Sequence, residues 1–181
     1  MNLRSTFLAS LTLVSAKCFS DEPKTYLLSF TGQSWRILGS EDFRRVSGIG
    51  LAFSREEPRF KFRGLTGDLV WEGFLVNSTS DGTGQFKADH ILGLGVIALA
   101  RHRLGRFYSE FGLGLEYLNQ LSYDISSKLS STPTAGFGYA VPIGKVSELL
   151  IGLRLHHVSN AGTQPHNKGQ NETLLVLSYR Y

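Results

Sequence analysis

Large apolar residues fall on every second position through most of the chain. Ser47, Ile49, Leu51 and Phe53 alternate with Gly48, Gly50 and Ala52. Leu65, Leu69, Trp71 and Leu75 alternate with Thr66, Asp68 and Glu72. The same spacing recurs from Phe107 through Phe111, Leu113 and Leu115 to Tyr117, and again over Phe137–Val141, Ile151–Leu155 and Leu175–Tyr181. A period of two places one residue set on each face of an extended strand, so these segments read as β-strands. Two more segments, residues 25–35 (Tyr26, Leu28, Phe30) and 88–100, look strand-like but alternate poorly. The expectation is eight strands of roughly 9–12 residues, separated by turn-rich stretches such as Ser78-Thr79-Ser80-Asp81-Gly82-Thr83-Gly84.

The composition of the two faces decides which way round the sheet closes. A soluble eight-stranded barrel, lipocalin-like, would keep its large residues inside and its charges outside. Here glycines share a face with the acids, and a narrow lumen has room for little else. The glycine-and-charge face therefore belongs inside and the large apolar face against lipid. On that arrangement Asp68, Glu72, Glu110, Glu116 and Arg154 are expected to share a buried polar network. The chain also closes on Tyr181 with apolar residues at every second position back. That is an ending used by outer-membrane barrels for assembly, so the assembly machinery is an expected partner through this strand. The predicted fold class is an all-β, eight-stranded antiparallel transmembrane barrel of the bacterial outer membrane.

Length, charge and cysteine usage narrow the setting. The chain has 181 residues, one domain's worth, with 41% hydrophobic residues and 12% aromatics. Its one cysteine excludes a disulfide scaffold or a cysteine-based metal site. No run of about 18 apolar residues is present, which excludes a helical membrane protein. Residues 1–20 read as a secretory signal peptide, with a basic start, an apolar stretch from Phe7 to Ala16 and small residues at Cys18 and Ser20. Cleavage after Ser20 is expected, with Ala16 as the alternative, leaving 21–181 as one barrel domain. That removes Arg4 and Lys17 from the 19 basic residues, leaves the 15 acidic ones and brings the net charge to about +2. So small a charge makes no case for nucleic-acid binding. The pairs Gly48-x-Gly50, Gly93-x-Gly95 and Gly112-x-Gly114 lack the third glycine and the helix of a nucleotide fingerprint.

Candidate chemistry is concentrated in residues 154–173. His157 and Ser159 are two apart and share a face. A base beside a hydroxyl is the minimum equipment for a serine nucleophile, because serine alone is far too weak an acid to attack. Both belong to the series Ile151, Leu153, Leu155, so the pair sits on the lipid-facing side, at the end of an apolar stripe. With both termini periplasmic, this seventh strand ends at the external rim, where lipopolysaccharide resides. His156 points inward by parity, and His166 falls in a loop. Ser159-Asn160-Ala161-Gly162 adds an amide and a flexible backbone that could donate to an oxyanion. Polar residues at a membrane interface are the plainer alternative.

His157-Val158-Ser159-Asn160-Ala161-Gly162, then Asn167-x-Gly169, then the closing Ser178-Tyr179-Arg180-Tyr181, resembles the lipid A 3-O-deacylase (PagL-type) family. Arg106 to Gly114 is similar to that family's fifth strand, and Gly64-Leu65-Thr66-Gly67 to its third. The resemblance implies an eight-stranded outer-membrane serine esterase that removes the 3-O-linked acyl chain of lipid A as a 3-hydroxy fatty acid. It implies His157 as general base and Ser159 as nucleophile, with Asn160, Gly162 and Asn167 shaping the oxyanion site. The family's third member is a glutamate fourteen residues after the histidine. Here that position is Asn171, with Glu172 beside it. Parity turns Asn171 outward toward His157; a one-residue bulge would bring Glu172 outward instead. No metal or organic cofactor is implied, lipopolysaccharide is the implied partner, and a homodimer is left open. A catalytically silent structural or adhesive barrel and an esterase of another membrane lipid are the rival functions.

Overall fold

A computed structural model describes residues 24–35, 42–62, 65–80, 82 and 89–181. The signal peptide expected over residues 1–20 and Gly64 lie outside the described residues. The strands are β1 (Lys24–Trp35), β2 (Arg45–Phe62), β3 (Leu65–Ser80), β4 (Asp89–Leu104), β5 (Phe107–Leu118), β6 (Leu129–Ser131), β7 (Thr134–Pro142), β8 (Glu148–Val158) and β9 (Gln170–Arg180). Each pairs antiparallel with its neighbours, and β1 pairs with β9 from Tyr26↔Arg180 to Trp35↔Asn171, so the sheet closes. β6 and β7 are one barrel strand. Leu115 faces Ser131 and Gly112 faces Thr134 in a single register, and only Pro133, which lacks an N–H, interrupts the ladder. The closed barrel thus has eight strands, as the alternation predicts. β2, β3 and β4 run to 18, 16 and 16 residues, longer than expected.

The lipid-facing and lumen-facing sets separate as the composition of the faces predicts. Ile49, Leu51, Trp71, Leu75, Leu113, Phe137, Leu153 and Leu155 are exposed on the outer wall. Glu72, Glu110, Glu116 and Arg154 are buried in the lumen. With no water in the hydrocarbon layer, only such a closed ladder satisfies the backbone. One end carries the short connections 63–64, 105–106 and 143–147. The other carries 36–44, 81–88, 119–128 and 159–169, the length asymmetry of periplasmic turns and external loops.

β1 departs from the expected pattern. It alternates well but in the opposite sense: Tyr26, Leu28 and Phe30 point inward, and Ser29 and Thr31 face out. The reason lies on the adjacent strands, where lumen glycines opposite the aromatics in the ladder yield the volume the rings fill. A Cβ on Gly48 would stand 2.2 Å from the Phe30 ring, and one on Gly95 2.2 Å from Phe74. Phe30 and Phe74 meet edge to face at 6.0 Å. In β4 both faces are apolar, with Ile91, Ile97 and Leu99 inside and Leu92, Leu94 and Val96 outside, which is why its alternation is weak.

The polar network is narrower than expected in one respect and wider in another. Arg154 holds both oxygens of Glu72 at 2.7 and 3.1 Å and reaches Glu110 Oε1 at 2.8 Å. Arg101 grips Glu110 from the other side at 2.9 Å and lies over the rings of Tyr26 and Tyr108. Glu116 is buried but apart, and Asp68 is not in the network. At the external mouth Arg44, fully buried, binds Asp42, Asp89 and the Ser78 hydroxyl.

Candidate active site

β8 and β9 lie side by side, with His156↔Glu172 and His157↔Asn171 as successive rungs. Period two turns one rung inward and the next outward, so the ladder carries two histidine pairs back to back. On the lipid side, His157 Nδ1 stands 2.8 Å from Asn171 Oδ1. In the lumen, His156 Nδ1 stands 2.9 Å from Glu172 Oε2, both side chains buried, and Gln170 Nε2 donates to the other Glu172 oxygen at 2.9 Å. The strand start carries no bulge, so Glu172 sits inside on His156 and away from His157.

An Asn171 oxygen accepting from Nδ1–H fixes the imidazole tautomer that leaves Nε2 unprotonated, the form a general base needs. A Cβ on Gly169 would stand 2.5 Å from His157 Cε1 and 3.1 Å from Nε2. Gly169 thus opens the space the imidazole occupies, and its φ of +70° is in the region that other residues enter only with strain. Gly169→Ala should therefore displace the ring and lower ester hydrolysis at least about tenfold. The barrel should still migrate as a folded species on an unheated gel.

Ser159 is 6% exposed, one residue past the end of β8. Its hydroxyl lies 3.3 Å from that of Ser131 on β6, and no hydrogen bond joins it to His157. Such contacts are commonly loose before substrate arrives. Beyond Ser159 the chain makes a tight turn in which Asn160 O accepts from Thr163 N at 3.0 Å, with Ala161 and Gly162 both at positive φ. Ala161, at φ 53°, is the strained member, since it carries a Cβ in a left-handed conformation.

Asn160, Gly162 and Asn167 build this turn. Asn167 Oδ1 accepts from Asn160 N–H at 3.0 Å, and Asn160 Oδ1 accepts from Gly162 N–H at 2.9 Å. Asn160 Nδ2 donates to His166 O and to the Ser126 hydroxyl. The neighbouring external loop braces the turn. His166 donates to Tyr123 O at 2.8 Å, Lys168 N and Gly169 N donate to Asp124 O, and Ile125 bridges to Asn167. His166 is thereby a loop brace. Ser131 and this second loop are not visible in the sequence, because each is linked to the site by pairing between neighbouring strands and loops. The Asn-x-Gly spacing at 167–169 was the one local signal for Gly169.

On the outer wall beside His157 and Asn171 lies an apolar groove of about 330 Å³, lined by Trp35, Phe111, Ala135 and Leu155. It crosses from β1 over β9, β8 and β7 to β5. Trp35 is opposite Asn171 in the ladder and donates from its indole to Thr173 Oγ1 at 2.9 Å, which stands the ring up as one end of the groove.

Solved structures share the architecture. The crystal structure of the outer membrane enzyme PagL superimposes with a TM-score of 0.59 at 16% identity, covering 84% of this chain and 97% of that one. Neisserial surface protein A superimposes with a TM-score of 0.52 at 11% identity, covering 88% of this chain and 96% of that one. At those identities they bear on the fold alone. No curated protein matches the sequence. The family model described as lipid A 3-O-deacylase (PagL), however, matches residues 47–180, from β2 to the end of the closing strand and across Ser131, His157, Ser159 and Asn171. The chain belongs to the lipid A 3-O-deacylase (PagL) family of outer-membrane carboxylic ester hydrolases.

Proposed function

We propose that Ser159 is the nucleophile that cleaves the 3-O-linked acyl ester of lipid A, with His157 as its base and Asn171 as the residue that orients His157. The carrying observation is the His157–Asn171 pair at the head of an apolar groove on the lipid face. A soluble substrate would have no reason to approach there, whereas an acyl chain already in the outer leaflet can lie in the groove with its ester at the rim. Ser159 attacks the ester carbonyl while His157 takes its proton. Collapse expels the sugar alkoxide, which recovers that proton, and water then releases the 3-hydroxy fatty acid from the acyl-enzyme. Insertion of the barrel by the assembly machinery through the strand ending at Tyr181 belongs to the same reading.

Mass spectrometry of lipid A from cells with and without this protein tests the activity. The expected result is a species lighter by one 3-hydroxyacyl group. An unchanged lipid A profile, with the folded barrel present in the outer membrane, overturns the reading.

Asn171 carries a second expectation. An amide oxygen orients the ring but cannot stabilise the imidazolium as a carboxylate does. A hydrogen bond to a charged group is worth about 1.5–3 kcal/mol against about 1 for a neutral one. Asn171→Glu should therefore raise the rate about tenfold. A lower rate would show that the amide is required.

A further inference from the structure

We propose that Ser131 is a further catalytic residue, its hydroxyl donating to the oxyanion that forms when Ser159 attacks an ester. This rests on the serine-esterase reading of the site. Ser131 stands opposite Ser159, and the two exchange backbone hydrogen bonds, Ser131 N to Ser159 O at 2.7 Å and Ser159 N to Ser131 O at 3.1 Å. Their Oγ atoms are 3.3 Å apart. Outward parity on β6 puts the Ser131 side chain on the same lipid-facing wall as Ser159 and His157.

The case is one of position: the Asn167 side-chain amide keeps the part in the oxyanion site that the family resemblance gives it, and Ser131 adds a hydroxyl directly beside the nucleophile. In the attack the Ser159 O–H bond breaks and its proton goes to His157. Oγ bonds to the carbonyl carbon, and the carbonyl π pair moves onto oxygen. That oxygen needs donors already in place. The N–H groups of Ser159, Asn160 and Gly162 are given to Ser131 O, Asn167 Oδ1 and Asn160 Oδ1. The Asn160 side-chain amide donates to His166 O and Ser126. The Ser131 hydroxyl is differently placed. At rest it donates to Ser159 O at 3.1 Å, a carbonyl that already accepts from Ser131 N. One rotation about its Cβ–Oγ bond redirects the proton, with the oxygen staying in place, and leaves no buried group unsatisfied. The developing oxygen is two bonds from Ser159 Oγ, within reach of a donor 3.3 Å from that atom. Ser131 keeps its proton throughout, and collapse of the intermediate returns the His157 proton to the sugar alkoxide.

The test uses the full-length barrel in detergent, with two readouts: lipid A deacylation, and covalent labelling of Ser159 by an alkyl fluorophosphonate, whose P=O imitates the oxyanion. Ser131→Ala should lower kcat about 10²-fold with KM unchanged. Labelling should slow by a similar factor while the folded electrophoretic mobility is retained. Ser131→Thr, which keeps the hydroxyl, should recover most of both rates. If the alanine variant fails to fold, Ser131→Cys, near in size and a poor donor, carries the same expectation. Ser131→Ala with wild-type kcat and labelling overturns the proposal, as does a fall in kcat with unchanged labelling. Wild-type protein that labels at Ser159 yet leaves lipid A intact would mean a different ester substrate, and slower labelling of Ser131→Ala would still support Ser131. Wild-type protein inert to both overturns the esterase reading and Ser131 with it.

Discussion

Ser159→Ala should abolish lipid A deacylation, by about 10⁴-fold or more, while leaving the barrel folded. Loss of a serine nucleophile removes the covalent route altogether, and the base and orienting residue act only through it. The structural cost should be small. Ser159 gives up one long side-chain hydrogen bond, 3.3 Å to Ser131, worth about 1 kcal/mol. The Ser131 hydroxyl still has Ser159 O as acceptor. Lipid A mass spectra and the mobility shift between unheated and heated samples separate the two effects. Residual deacylation near wild type would place the nucleophile elsewhere. If Ser131→Ala abolished activity in its stead, the roles of the two serines would be reversed.

Arg154→Met should have the largest effect on stability. Its guanidinium makes four hydrogen bonds, two to Glu72 and two to Glu110, and all three side chains are buried. Removing one member of such a cluster leaves charge without a partner and costs about 3–5 kcal/mol. Glu72 loses its arginine outright, whereas Glu110 keeps Arg101 at 2.9 Å. The temperature at which the folded band converts to the unfolded band should therefore fall. The double variant Arg154→Met with Glu72→Leu should recover part of the loss, because no carboxylate is then stranded on that side. An unchanged conversion temperature in Arg154→Met would mean that the lumen holds enough water to solvate Glu72.

Parity and register differ in how far they can be read. Parity is local: each residue's face follows from its neighbours two positions away. That was enough to turn His157, Ser159 and Asn171 toward lipid and His156 toward the lumen. Register is not local. Nothing near Ser131 marks it as the partner of Ser159, 28 residues further on. Arg101 was likewise not singled out, because its place in the network depends on the β4–β5 pairing that sets it opposite Glu110. β1 misled for a related reason. Its apolar set faces the lumen because Gly48 and Gly50 on β2 leave space there for Phe30 and Leu28, and a strand does not record the volume left by its neighbours.

The sequence by itself determined the class of the protein. A period of two with glycine and charge on one face admits a lipid-embedded barrel, and the motif from His157 to Gly169 admits an ester hydrolase at its external rim. The first conclusion follows from composition and spacing along single strands, and the second from the motif's resemblance to the lipid A 3-O-deacylase family. Only the tertiary structure decided which oxygen meets His157, where Glu172 goes, what opens the space for the imidazole and which hydroxyl stands beside the nucleophile. Each of those depends on the relative slide of two strands. That slide is set once for the whole barrel, by closure of β1 on β9 and by packing in the lumen, and not by any short stretch of chain.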